Sequence, residues 1–130
     1  AERLHAMLGL AQPVGTVDVS FYRDDYSQRG LSANTKTSQI PFDVEGAHIV
    51  IVDDVLYTGR TIRAAISVLF DYGRPAKIEL AVLIDRGGRE LPVAATYCPQ
   101  TISLRPSQIL ALARDPHEPG GRLAFRLEEK

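Results

Sequence analysis

The stretch Val50–Ile62, VIVDDVLYTGRTI, decides the fold. Ile49 to Val52 is a continuous β-branched run, which suits a central parallel strand covered on both faces, and it stops at the acidic pair Asp53 and Asp54. From Thr61 to Tyr72 the apolar residues Ile62, Ala65, Ile66, Leu69 and Phe70 fall on one face of a predicted helix, with Gly73 as its stop and Pro75 beyond it. Ile78 to Ile84, rich in Ile, Leu and Val, reads as the next strand. Strand, loop, helix and strand in this order make a βαβ unit with a right-handed crossover. Ligands of an open parallel sheet bind beyond the carboxyl ends of its strands, where a helix amino terminus offers unpaired N–H groups and a positive dipole end. Asp53 to Thr61 occupies that place.

Outward from this unit the signals weaken. Leu4, Met7, Leu8 and Ala11 recur at helical spacing, predicting a short amphipathic helix from Glu2 to Leu10 that Pro13 ends. Val17, Val19 and Phe21 alternate with polar residues, a strand period. Arg23 to Gln39 is polar and aperiodic, a long loop of the kind that tends to be functional. Near the end, Ile109–Ala113 and Leu123–Leu127 alternate around Pro116, Pro119, Gly120 and Gly121 and predict a terminal hairpin.

Composition bounds the rest. A chain of 130 residues with 45% hydrophobic and 24% charged residues is the size and make-up of one globular domain. No apolar run is long enough to span a bilayer and no signal peptide is visible, so a cytoplasmic protein is expected. A net charge of −1 offers no general attraction to a polyanion, and RNA binding would need a local patch. One cysteine, Cys98, excludes an internal disulfide, and the scattered His5, His48 and His117 do not form a zinc pattern. Carboxylate-bound magnesium is the expected metal. The chain opens on Ala1 directly into helical spacing, and a domain cut from a longer protein is expected.

The chemistry concentrates in the central stretch. Gly59 permits close backbone approach to a phosphate, and Thr58 and Thr61 add hydroxyl donors. The stretch has neither the GK[ST] order of a Walker A loop nor GxGxxG, which disfavours nucleoside triphosphate chemistry. Two adjacent carboxylates repel phosphate and need hydroxyls or magnesium as partners. A ribose bearing a 5′-phosphate satisfies both halves. The plainer alternative is a pair of surface acids capping the next helix.

VIVDDVLYTGRTI is similar to the phosphoribosyl pyrophosphate (PRPP) motif of type I phosphoribosyltransferases, and DDVLYTGRT is close to its form in the pyrimidine-operon regulators with uracil phosphoribosyltransferase activity. VDVSFYRDDYS (Val17–Ser27), IRAAISVLFDYGRPAKIELAVLIDRG (Ile62–Gly87) and RELPVAATY (Arg89–Tyr97) extend the resemblance over about three quarters of the chain. It implies a type I phosphoribosyltransferase domain over residues 1–130, an α/β fold with a mostly parallel sheet flanked by helices and a C-terminal β-hairpin. The fold's N-terminal strand would be missing from this chain.

By the same resemblance, Asp53 and Asp54 would hold the ribose hydroxyls, directly or through Mg2+, as catalytic and metal-binding residues. Val55, Leu56, Tyr57, Thr58, Gly59, Arg60 and Thr61 would wrap the 5′-phosphate. Arg23 matches a substrate-contacting arginine. Arg86, Arg89 and the backbone at Cys98 would lie around the uracil, where the plainer reading of both arginines is a surface ion pair with Asp85 or Glu90 and that of Cys98 a small buried hydrophobe. Ser27 to Gln39 would be the lid that excludes water.

Three departures accompany the match. The family's TRG-like pyrophosphate loop has no counterpart here and is expected upstream of Ala1; Gly88 stands where a histidine is usual; and Cys98 to Leu104 replaces a GKNIPTS-like segment. The implied function is uracil phosphoribosyltransferase, making UMP and pyrophosphate from uracil and PRPP, with or without pyrimidine-responsive regulation of pyr genes, in a homo-oligomer. The alternatives are a UMP- or PRPP-sensing regulator that binds pyr messenger RNA without significant catalysis, and a type I transferase for a purine or orotate.

Overall fold

The computed structural model describes residues 1–19, 38–115, 117 and 122–130. The predicted βαβ unit is present: β1 (His48–Leu56), α2 (Arg60–Tyr72) and β2 (Lys77–Asp85) follow a short α1 (Glu2–Leu8). β1 and β2 pair in parallel, in register from His48↔Lys77 to Leu56↔Asp85. A two-residue β3 (Gln100–Thr101) adds to the free edge of β2, also parallel, and an Ala81↔Tyr97 bridge extends that edge. The predicted hairpin forms from β4 (Gln108–Arg114) and β5 (Leu123–Glu129), an antiparallel pair in its own sheet.

α2 lies on one face of the parallel sheet because its apolar stripe recurs at helical spacing. Ile62 joins Leu56, Leu80 and Val82 in one buried cluster, and Leu69 joins Val44 and Ile49 in a second, with Ile51 packed against both. The first cluster sits directly under the start of α2. Phe70, expected on the buried stripe, is 54% exposed, and Ala64 is buried instead. The opposite sheet face differs from expectation more sharply: Val50 and Val52 are 46% and 40% exposed, since α2 is the one helix packed on the sheet among the described residues.

Two further differences concern boundaries. β1 does not stop before Asp53 and Asp54, because its ladder with β2 continues through Asp53↔Val82 and Val55↔Ile84. Val17–Val19 is not in a strand, and the rest of that period, through Phe21, lies outside the described residues; among the described residues the segment is held by the antiparallel bridge Thr16↔Gln39 and by the Asp18 N–H donating to Ser38 Oγ at 2.8 Å. Val17 packs on the second cluster. α1 has no buried residue. No described helix is long and apolar enough to cross a membrane.

Candidate functional site

Between the end of β1 and the start of α2 the chain turns in three residues, Tyr57, Thr58 and Gly59. Gly59 makes the turn possible: its φ of 93° lies in the left-handed region, and an added Cβ would meet Val93 Cγ2 at 3.1 Å. Thr58 is buried, and its hydroxyl accepts the Arg60 N–H at 3.2 Å. The remaining first-turn N–H groups of α2 have no acceptor within the helix, the usual state of a helix amino terminus and the basis of its affinity for anions.

A cleft opens here. Asp53, Val55 and Leu56 line it from the strand, Tyr57, Thr58 and Gly59 from the loop, and Thr61 and Ile62 from the helix. Seven residues singled out from the sequence therefore share one cavity wall. Asp54 and Arg60 are not on that wall. Arg60 instead pairs with Glu90, Nε to Oε2, at 2.7 Å. The Asp53 carboxylate accepts the Asp54 N–H at 2.9 Å, and that of Asp54 accepts the Val55 N–H at 2.8 Å. Among the described residues no cluster of three His, Cys, Asp or Glu side chains could hold a metal ion. Two carboxylates are hard oxygen donors of the kind magnesium accepts, and an ion held by them would take its other ligands from a substrate's phosphates and water.

The segment after β2 braces the loop. The Arg86 N–H bonds to the Leu56 carbonyl at 3.0 Å, and the Glu90 and Leu91 N–H groups both reach the Thr58 carbonyl, at 2.9 and 3.1 Å. Arg89 donates from Nε to the Val93 carbonyl at 2.7 Å and from Nη1 to the Tyr57 carbonyl at 2.8 Å, and its Nη2 pairs with Asp85. That pairing, with help from the Gly87 N–H, holds the Asp85 carboxyl below the usual carboxylate range despite partial burial. The Arg86 guanidinium lies 3.9 Å from the centre of the Tyr57 ring, and its buried Nε has no acceptor among the described residues.

Arg86 and Arg89 were both expected around a base. The structure places Arg86 on the loop's aromatic ring and the nitrogens of Arg89 on protein acceptors, with Asp85 as its ion-pair partner, one of the two named by the plainer reading. Cys98 is off the cleft wall; it packs against the Leu56, Ile62, Leu80 and Val82 cluster and its thiol donates to the Gln100 carbonyl at 3.1 Å. Arg23, and the proposed lid apart from Ser38 and Gln39, lie outside the described residues. The bracing of Tyr57 and Thr58 was not foreseen. Its one sequence signal is the Gly87–Gly88 pair, which turns the chain back after β2.

A parallel βαβ unit with two acids at a strand end and a hydroxyl- and glycine-bearing loop at a helix start is the arrangement at which open α/β sheets take anionic ligands. A model of the phosphoribosyl transferase domain matches residues 1–105, and the chain belongs to that family. Its relatives there carry the name bifunctional protein PyrR: it is 49% identical to that of Ralstonia nicotianae over all 130 residues, which cover 74% of that protein. To the Pseudomonas entomophila protein it is 55% identical over 104 residues, 80% of this chain and 60% of that one. The chain therefore spans between about three fifths and three quarters of the length of these relatives. Among solved structures, a hypoxanthine phosphoribosyltransferase from Trypanosoma cruzi overlaps 51% of this chain and 35% of its own, at 31% identity and a TM-score of 0.45.

Proposed function

We propose that residues 1–130 form a phosphoribosyltransferase domain that takes ribose 5-phosphate from PRPP to uracil, giving UMP and pyrophosphate. The observation that carries this reading is the shared wall on which Asp53 and the loop Tyr57–Gly59 meet the amino terminus of α2. The 5′-phosphate would sit against the loop and helix N–H groups, and Asp53, on the cleft wall, would face the ribose, with Asp54 beside it at the strand end. Breaking the bond from C1′ to pyrophosphate develops positive charge on the sugar ring, and two carboxylates at its hydroxyl side favour that charge. Magnesium, with Asp53 and Asp54 as its protein ligands, would supply charge neutralisation on the pyrophosphate when bound. Arg89 acts by holding the loop, and Arg86 by holding the Tyr57 ring. The base would lie toward the segment after β2, which closes over the loop.

A second reading, in which UMP or PRPP in this cleft controls binding to pyr messenger RNA, is supported by the word bifunctional in the relatives' name. Both readings place the ribose phosphate at the same loop. The decisive test is uracil-dependent UMP formation together with calorimetric titration of UMP, on the parent chain and on Asp53→Asn with Asp54→Asn. The first reading expects turnover in the parent and loss of both turnover and affinity in the double variant. UMP affinity without turnover, joined to a UMP-dependent gel shift of leader RNA, supports the second. Unchanged UMP affinity in the double variant removes both.

A further inference from the structure

The atoms nearest the bare side of Gly59 all belong to the segment after β2. At the place an added Cβ would take, Val93 Cγ2 lies at 3.1 Å, Val93 Cβ at 3.2 Å and Leu91 Cβ at 3.4 Å. Leu91, Pro92 and Val93 close a three-residue turn, in which the Val93 N–H donates to the Leu91 carbonyl at 2.8 Å and Pro92, whose ring fixes φ, stands at the centre. That turn is tied down on two sides. The Leu91 N–H reaches the Thr58 carbonyl at 3.1 Å, and the Val93 carbonyl accepts the Arg89 Nε–H at 2.7 Å. Val93 also packs on the buried cluster of Leu56, Ile62, Leu80 and Val82. Its side chain therefore stands between the core and the one residue of the loop that carries no side chain.

From this we infer that Val93 is a positioning residue for the sugar phosphate: its methyl groups set the height at which Gly59 and the amino terminus of α2 meet the ligand. The inference rests on the ribose-phosphate reading of the cleft. Val93 is not on the cleft wall, so it acts through Gly59 and not on the ligand. A loop held in place before the phosphate arrives presents its N–H groups at once, whereas a loop whose support is cut back must be ordered on binding, which weakens affinity. The contact with Gly59 requires the branched shape of valine. The contact with the cluster requires its apolar character, and the two demands separate on substitution.

Val93→Ala removes both methyl groups and stays apolar, while Val93→Thr keeps the branched outline and sets a hydroxyl against the apolar cluster. Val44→Ala removes the same two methyl groups from the second cluster, where Val44 is 1% exposed and no residue of the loop takes part. Ribose 5-phosphate and UMP are titrated calorimetrically into the 130-residue chain and into each of the three variants, below the melting temperature of every one. All three substitutions should lower that temperature. Val93→Ala should bind both ligands about fivefold more weakly, whereas Val93→Thr and Val44→Ala stay within about twofold of the parent. An equal loss of affinity in Val44→Ala would overturn the inference, because binding would then only follow stability. A Val93→Thr as weak as Val93→Ala would also overturn it, because shape would not be what the loop needs. If the parent binds neither ligand, the ribose-phosphate reading falls and takes this inference with it; if the parent binds and Val93→Ala binds equally well, this inference falls alone.

Discussion

The guanidinium of Arg89 donates to the backbone carbonyl of Tyr57 at 2.8 Å across 32 residues of sequence. The same side chain reaches the Val93 carbonyl and pairs with Asp85 at the end of β2. One residue thereby joins the strand end, the segment that follows it and the phosphate loop. A lysine offers a point charge without the planar fork and cannot serve three acceptors at once. Arg89→Lys should weaken ribose 5-phosphate binding about tenfold, and Arg89→Met should also cost about 2 kcal/mol of stability in urea unfolding. Parental affinity in Arg89→Met would show that the loop keeps its shape unaided.

Acid should remove the stability that this junction contributes. The hydrogen bond from Arg89 is the main reason the Asp85 carboxyl is held low, with burial opposing it and the Gly87 N–H assisting. A carboxyl whose folded value lies below its unfolded one contributes stability that is fully present above the unfolded value, about 4, and is lost as pH falls through the folded value. Urea unfolding between about pH 6 and about pH 2 should therefore show an acid-side loss in the parent that is smaller in Asp85→Asn. Identical acid limbs in the two proteins would mean that the pair contributes nothing to pH dependence.

Gly59 is constrained by conformation and by space. Its φ of 93° disfavours any Cβ, and that atom would also lie 3.1 Å from Val93 Cγ2. Gly59→Ala should destabilise the chain by about 1–3 kcal/mol and reduce affinity for ribose 5-phosphate by more than its stability loss implies, since the helix start moves with it. Chemical denaturation alongside calorimetry separates the two effects. A neutral Gly59→Ala would show that the turn adopts another conformation in solution.

The central stretch was legible because its signals are local. A β-branched run, a helical stripe from Ile62 and a glycine between them predict strand, helix and turn from neighbours a few residues apart, and the hairpin around residues 109–127 is legible for the same reason. What was not legible depends on distant partners. The extension of β1 through Asp53 to Leu56 is set by the ladder with β2, and nothing in DDVL signals it. Arg89 looked like a surface or base-contacting arginine because its acceptors, Tyr57 and Val93, are brought to it only after the Gly87–Gly88 turn. The β-branched run at 49–52 predicted cover on both faces; period and composition say that a strand is apolar, not which element covers it.

That uncovered face gives a contrast in stability. Leu56, at 1% exposed, sits in the buried cluster beneath the loop, whereas Val50 on the other face is 46% exposed. Leu56→Ala should cost about 2–5 kcal/mol, and Val50→Ala no more than about 0.5 kcal/mol, in urea unfolding of this chain. A loss of more than about 2 kcal/mol for Val50→Ala would mean that the face is covered in solution.

The central claim is that the turn from β1 into α2 holds a ribose 5-phosphate, and a backbone-amide NMR titration of this chain with UMP tests it most directly. Saturable shifts should be largest at Tyr57, Thr58, Gly59, Arg60 and Thr61, should extend to Asp53 and Asp54, and should disappear in Asp53→Asn with Asp54→Asn. Saturable shifts confined to other segments, or no saturable shift at all, would contradict the account.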